Sequence, residues 1–341
     1  MKNAVPTDPV KVSLLALPES TPAALYGLYE VLSSVGVSWA EVTGDGEPAP
    51  LMEVKIVSED GRDFASAIGT PIAPHAALHE VNRTDIVIVA DLALVPERGA
   101  DYSWPAMTDW VRAQYDQGAT VCSVCTGTAF LAGTGLLDHC EATTHWAAAE
   151  MIRAMRPEID LKPERILVPA GPGHRIITSG GSSSWQDLTL YLIARYCGQA
   201  EAVRTAKVFL IGDHNDGQLP FTAVPPPRQH EDAVIADCQR WIAMNYHEAN
   251  PVARMTARSG LGERTFKRRF QAATGFSPMD YVQALRIEEA KQTLETDDTP
   301  IEEIARSLGY EDPAFFRRLF KKRTGVTPGR YRQRYQSHIR F

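Results

Sequence analysis

Over its N-terminal part the chain alternates short runs of apolar, β-branched residues with longer stretches whose apolar positions recur at helical spacing. The runs Val12–Leu17, Val54–Val57, Asp85–Ala90, Thr120–Cys125, Arg165–Val168 and Arg175–Thr178 predict strands, and Pro22–Val35 and Trp104–Gln117 predict helices between them. Continuous apolar strands separated by helices predict a mainly parallel sheet covered on both faces, an α/β domain. Ligands gather at the carboxyl ends of such strands. Cys125 stands at one of those ends, and the residues after it, TGTAFLAGTGLL, open a helix.

The C-terminal pattern is different. The segments ARSGLGERTFKRRFQAATGFSP (257–278) and ARSLGYEDPAFFRRLFKKRTGVTP (305–328) match at an offset of 50 from Phe266/Phe316 through Arg268/Arg318, Phe270/Phe320 and Gly275/Gly325 to Pro278/Pro328. A duplicated unit is the simplest account. Each copy reads as helix, tight turn, helix, so the C-terminal domain is expected to be all-α. In the second copy Ile301–Leu308 is a short helix, Gly309 breaks it, Asp312 caps the next and Pro313 takes its first turn. Between the two patterns lies DGQLPFTAVPPPRQH, whose three prolines Pro225–Pro227 exclude a helix or central strand. The expected division is therefore residues 1–215, a linker over 216–230, and residues 231–341.

Charge separates the two parts in the same way. Residues 231–341 hold 19 Lys and Arg against 15 Asp and Glu, a net of +4, while residues 1–230 hold 16 against 27, a net of −11. A basic end on an acidic body predicts that the C-terminal domain meets a polyanion. Phe266 and Phe270 share one helix face, as do Phe316 and Phe320. Arg264, Thr265, Lys267, Arg268 and Gln271 in the first copy, and Arg317, Arg318 and Lys321 in the second, lie on the free face and its flanks. A helix anchored by aromatic rings and cationic outside suits the major groove of double-stranded DNA, where arginine bonds guanine and phosphates release counterions.

Here the chain resembles the AraC/XylS-type regulators, over roughly residues 231–335, in its two helix–turn–helix units, the connecting FSPMDYVQALRIEEAKQTLE and the ending IEEIARSLGYEDPAFFRRLFKKRTGVTPGRYR. The resemblance implies two recognition helices in one monomer, reading successive major grooves. A connecting helix spanning about 27 Å fits grooves about 34 Å apart.

The N-terminal part resembles the PfpI/ThiJ superfamily, related to class I glutamine amidotransferases, and more closely the sensor domain of GlxA-type AraC regulators. The resemblance rests on SVCTGTAFLAGTGLLDHCEATTHW, ALYGLYEVL and GGSSSWQDLTLYLIARYCG. It implies that Cys125 occupies a sharp strand–helix turn as candidate nucleophile and that His145 stands as candidate base. The same domain implies a homodimer. A helix N-terminus and a nearby imidazole both favour thiolate, and the Thr126 amide faces a developing oxyanion. The superfamily's acidic partner is absent, because Ala24 stands at its position. VADL (89–92) replaces the Gly-rich turn, and nothing places Glu19 or Glu30 beside the thiol. Loss of that proton carrier argues against turnover.

The combined expectation is a sequence-specific DNA-binding transcriptional regulator, not an enzyme, that responds to an unidentified small-molecule effector at Cys125, Thr126 and His145. The alternative is a PfpI-like cysteine hydratase, amidase or peptidase carrying an accessory DNA-binding domain. A third reading, a redox switch of Cys122 and Cys125, is disfavoured because extended alternation puts the two on opposite faces. Five cysteines scattered over the chain, with no signal-peptide pattern and no long apolar run, predict reduced thiols in a cytoplasmic protein without membrane contact. No cofactor and no metal site are expected; His75 and His79 lie four apart, but beside Pro74 and without acidic neighbours.

Overall fold

The computed structural model describes residues 8–94, 103–212, 214–223 and 230–336. The chain forms two compact units, Met1–Gln218 and Leu219–Phe341. Pro225–Pro227 of the expected linker lie outside the described residues.

The first unit contains β1 (Val10–Leu15), β2 (Met52–Ser58), β3 (Phe64–Ala65), β4 (Pro71–Ile72), β5 (Ala76–Ala77), β6 (Ile86–Val89), β7 (Thr120–Val124), β8 (Glu141–Ala142), β9 (Asp160–Leu161), β10 (Leu167–Ala170) and β11 (Ile176–Ser179). Its helices are α1 (Pro22–Ser33), α2 (Ser38–Thr43), α3 (Pro105–Asp116), α4 (Gly127–Thr134), α5 (Ala149–Met155), α6 (Trp185–Tyr196) and α7 (Gln199–Phe209). Seven strands make one sheet in the order β10-β11-β7-β6-β1-β2-β5. It is parallel except at β10, which runs antiparallel to β11.

Both sheet faces are covered, as the uninterrupted apolar strands require. Consecutive residues of β1 diverge: Leu14 joins a core with Leu25, Leu28, Leu188 and Leu192, while Leu15 joins another with Val87, Phe130, Leu131 and Ile152. The strand expected at Arg165–Val168 forms instead at Leu167–Ala170, and its Pro169, which has no N–H, sits on the sheet's edge strand where no ladder bond is lost. The two-residue strands escaped the pattern because they are too short to show a period.

The second unit is helical: α8 (Ala233–Asn245), α9 (Pro251–Ser259), α10 (Glu263–Thr274), α11 (Pro278–Thr296), α12 (Ile301–Ser307), α13 (Pro313–Thr324) and α14 (Pro328–Gln336). Two aromatic cores sit side by side on α11. Phe266 and Phe270 pack with Ile242, Met255 and Val282, and Phe316 and Phe320 with Ile304, Leu308 and Leu294. Asp312 caps α13 by accepting from the Ala314 amide at 2.8 Å, and Ser277 caps α11 through the Asp280 amide at 3.1 Å.

Candidate functional site

The helices α10 and α13 are built alike. Each begins after a cap position, buries a phenylalanine pair completely, Phe266 and Phe270 or Phe316 and Phe320, and ends on a left-handed glycine, Gly275 or Gly325. Burial of that stripe against α9 or α12 leaves Arg264, Thr265, Lys267, Arg268 and Gln271 exposed on the first helix and Arg317, Arg318 and Lys321 on the second. Among the described residues Arg264, Arg268 and Lys321 carry no ion pair. Lys267 pairs with Glu263 at 2.6 Å, Arg318 loosely with Asp312 at 3.7 Å, and Arg317 with Glu302. These pairs are solvent-exposed, so they hold the cations weakly and yield readily to a phosphate. Arg269 is committed elsewhere: its two bonds to Asp232, at 3.0 and 2.8 Å, tie α10 to the cap of α8.

At the other candidate site β7 ends at Val124 and Cys125 takes φ +55°, a left-handed turn that a side chain adopts only at a cost. The turn is held from three sides. Cys125 donates its amide to Ser179 O at 2.9 Å, its carbonyl accepts from Thr144 Oγ1 at 2.9 Å, and Gly127 presses the start of α4 onto β6. A Cβ on Gly127 would stand 2.6 Å from both Val89 O and Ala90 O, so only glycine permits this approach. The left-handed turn also breaks strand alternation, and Cys122 and Cys125 pack into the same core rather than onto opposite faces, both as free thiols.

The expectation of a thiol without a nearby carboxylate is overturned. Asp91, just beyond β6, lies beside Cys125 because β6 and β7 run parallel in register, with Val89 opposite Ser123. Its Oδ1 accepts from Thr126 Oγ1 at 2.7 Å and its Oδ2 from Ser182 Oγ at 2.9 Å, and Ser182 Oγ lies 3.6 Å from Cys125 Sγ. The VADL segment, read as the loss of a Gly-rich turn, supplies this acid. Ala24, at the superfamily's acidic position, is buried core.

The surroundings of the thiol work against the expected thiolate. Burial and then the Asp91 charge push the Cys125 thiol up to about 12, although the Thr126 amide points the other way. The single proton of the Ser182 hydroxyl is committed to Asp91, so Ser182 accepts from S–H rather than stabilising S⁻. His145, the candidate base, has one ring nitrogen engaged by the backbone. Its Nδ1 accepts from the Ala147 amide at 3.1 Å, which puts the neutral ring's proton on Nε2, and among the described residues no hydrogen bond joins it to Cys125. Burial holds the imidazole below its ordinary range, partly offset by Asp91. The elbow therefore holds a neutral thiol at the head of a short hydrogen-bonded chain that ends on a carboxylate.

His75 is tied into the fold: its Nδ1 accepts from the Ile56 amide at 3.0 Å and its ring stacks on Tyr29 at 5.1 Å. No group of three His, Cys, Asp or Glu placed to hold a metal ion occurs among the described residues, and no described helix is long and apolar enough to cross a membrane.

An α/β domain with a cysteine elbow, followed by paired helix–turn–helix units on one connecting helix, defines a class, and comparison with known proteins agrees. Residues 48–194 match the DJ-1/PfpI family and residues 255–334 a helix-turn-helix domain family. The chain is an AraC-family helix–turn–helix transcriptional regulator with an N-terminal DJ-1/PfpI domain. It is 27% identical to the HTH-type transcriptional regulator CdhR of Pseudomonas aeruginosa over 83% of this chain and 82% of that one. It is 26% identical to GlxA of Rhizobium meliloti, over 64% and 66%. It is also 26% identical to isonitrile hydratase of Pseudomonas putida, over 69% of this chain and 90% of the enzyme. The fold of the first part matches a solved Vibrio parahaemolyticus protein at TM-score 0.50 and 23% identity, over 60% of this chain and all of that one.

Proposed function

We propose that this regulator binds one operator sequence through α10 and α13 together, dimerises through its α/β domain, and changes its DNA affinity when a small metabolite occupies the elbow around Cys125, Thr126 and His145. The observation that carries the reading is the repetition itself: two helices, equivalent at an offset of 50, each bury a phenylalanine pair and leave arginines outward. A solvated cationic surface has no reason to recur in the same register on two separate cores. The effector part is supported by the convergence of a thiol, two hydroxyls and a carboxylate at the carboxyl ends of β6 and β7. Dimerisation follows from the domain's likeness to GlxA-type sensor domains, and sedimentation of the full chain tests it.

The decisive experiment is binding of the purified chain to genomic fragments across a salt series. Sequence preference, with a log–log salt slope steeper than about one or two phosphate contacts produce, is expected. Equal affinity for all fragments rejects the reading.

A second reading, a cysteine enzyme of the hydratase or amidase kind, draws on the likeness to isonitrile hydratase and on Asp91 beside the thiol. Against it stand the raised thiol and the engaged imidazole nitrogen, which both work against a thiolate nucleophile activated by His145. Turnover of an isonitrile or amide that is abolished in Cys125→Ser would favour it over the regulator reading of this domain.

A further inference from the structure

The two recognition helices differ in their first turns. At the offset of 50, Arg264 and Thr265 of α10 correspond to Ala314 and Phe315 of α13, so a cationic and a hydroxyl-bearing position become two apolar ones. Both Ala314 and Phe315 are exposed, and Phe315 leaves 45% of its surface in water. The ring is not spare core. Phe316, the next residue, fills the aromatic core completely, and Phe315 meets the unit at the rim of Tyr310, with centroids 6.0 Å apart.

Its position is fixed by the helix start. The Asp312 cap and Pro313 at the first turn set where α13 begins, and the residues there are those that a recognition helix brings to base edges. Arg318 lies one turn further along, within reach of the same stretch of groove. In the major groove the apolar group that an apolar side chain meets is the 5-methyl of thymine, whereas guanine, adenine and cytosine are read there through their hydrogen-bonding atoms. An exposed phenyl ring beside an alanine gains free energy by covering that methyl group and loses it by covering an unpaired donor or acceptor.

Resting on the proposed DNA-binding function, we infer that Phe315, with Ala314, is a specificity-determining pair that selects a thymine through its 5-methyl group. Helix α10 reads with hydrogen bonds and charge; α13 reads partly by apolar contact. The operator is then asymmetric within each monomer's site, with a methyl-bearing pyrimidine required under α13 beside the base met by Arg318.

The test removes single methyl groups from the DNA and leaves the protein intact. An operator is first selected from random duplexes with the full chain. Each thymine is then replaced in turn by deoxyuridine, which keeps every hydrogen bond and loses only the methyl. At one thymine the wild-type chain is expected to lose about fourfold in affinity, the worth of burying one methyl-sized group. Phe315→Ala is expected to bind the thymine operator more weakly and to be indifferent to deoxyuridine at that same position. Because Phe315 is exposed, the variant keeps the fold, which its unfolding midpoint checks. Three results overturn the inference: a wild-type chain indifferent to every replacement, a Phe315→Ala variant that retains the fourfold loss, or a variant weakened equally on all sequences. A chain with no sequence preference at all overturns the regulator reading and this inference with it, and the selection step reports that outcome separately.

Discussion

Gln218 fills the space that Gly180 leaves by having no side chain: a Cβ on Gly180 would stand 2.3 Å from Gln218 Nε2. The two protons of that amide nitrogen are shared among three carbonyl oxygens within reach, Thr144 O at 2.8 Å, Pro163 O at 2.8 Å and Arg165 O at 3.0 Å, and Oε1 accepts from the Trp146 amide at 3.2 Å. The last residue of the first unit is thereby fastened to the segments that carry Thr144, which bonds the Cys125 carbonyl, and His145. Gln218→Ala is expected to destabilise the α/β unit by about 1–3 kcal/mol, the cost of leaving buried polar groups unpaired. Gly180→Ala is expected to act by displacing the same side chain. The double variant should then fall short of the sum in thermal unfolding; full additivity would show that the two act independently.

The raised Cys125 thiol makes stability depend on alkaline pH. Unfolded, a cysteine ionises from its ordinary value of 9.0, while the folded thiol holds its proton to about 12. The folded state then binds more protons than the unfolded one, so its contribution to stability is complete below about pH 9 and is lost as the pH climbs through about 12. Cys125→Ala should flatten part of that decline in urea unfolding followed at stepped pH; an unchanged decline assigns it to other groups.

Removing the Asp91 charge lowers the thiol, because that charge is the second cause of its elevation after burial. Alkylation of Cys125 in Asp91→Asn is expected to follow a pH profile displaced toward neutrality relative to the wild type. A profile that does not move would mean that burial alone governs the thiol.

On the proposed DNA interface, Arg268→Ala and Arg318→Ala are each expected to cost about 1–3 kcal/mol and to relax preference at one base pair. Competition with single-substituted operators measures this. A loss spread evenly over all sequences would place the arginine on phosphate.

The phenylalanines on the opposite faces report on folding instead. Phe270→Ala and Phe320→Ala, both in fully buried positions, are expected to cost about 3–5 kcal/mol in unfolding free energy. Because the rings belong to separate clusters on α11, their effects should combine nearly additively.

Much of the architecture was legible in the amino-acid order because it depends on local periodicity. Apolar runs marked β1, β6 and β7, and Gly309, Asp312 and Pro313 marked the turn and start of the second recognition helix; the offset of 50 exposed the duplication. The free faces of α10 and α13 followed from helical spacing alone, since burying two phenylalanines leaves the other side outward. The state of Cys125 did not follow. A helix N-terminus is a local feature and argued for thiolate, but burial and the Asp91 carboxylate outweigh it, and both arise where β6, β7 and the segment bearing Ser182 converge from distant parts of the chain. His145 was legible as a histidine near the elbow; which of its nitrogens is engaged depends on a backbone amide that only the folded chain presents to it. Periodicity thus determined which residues face inward and outward, while desolvation and long-range charge, which have no signature in spacing, decided what the inward-facing thiol can do.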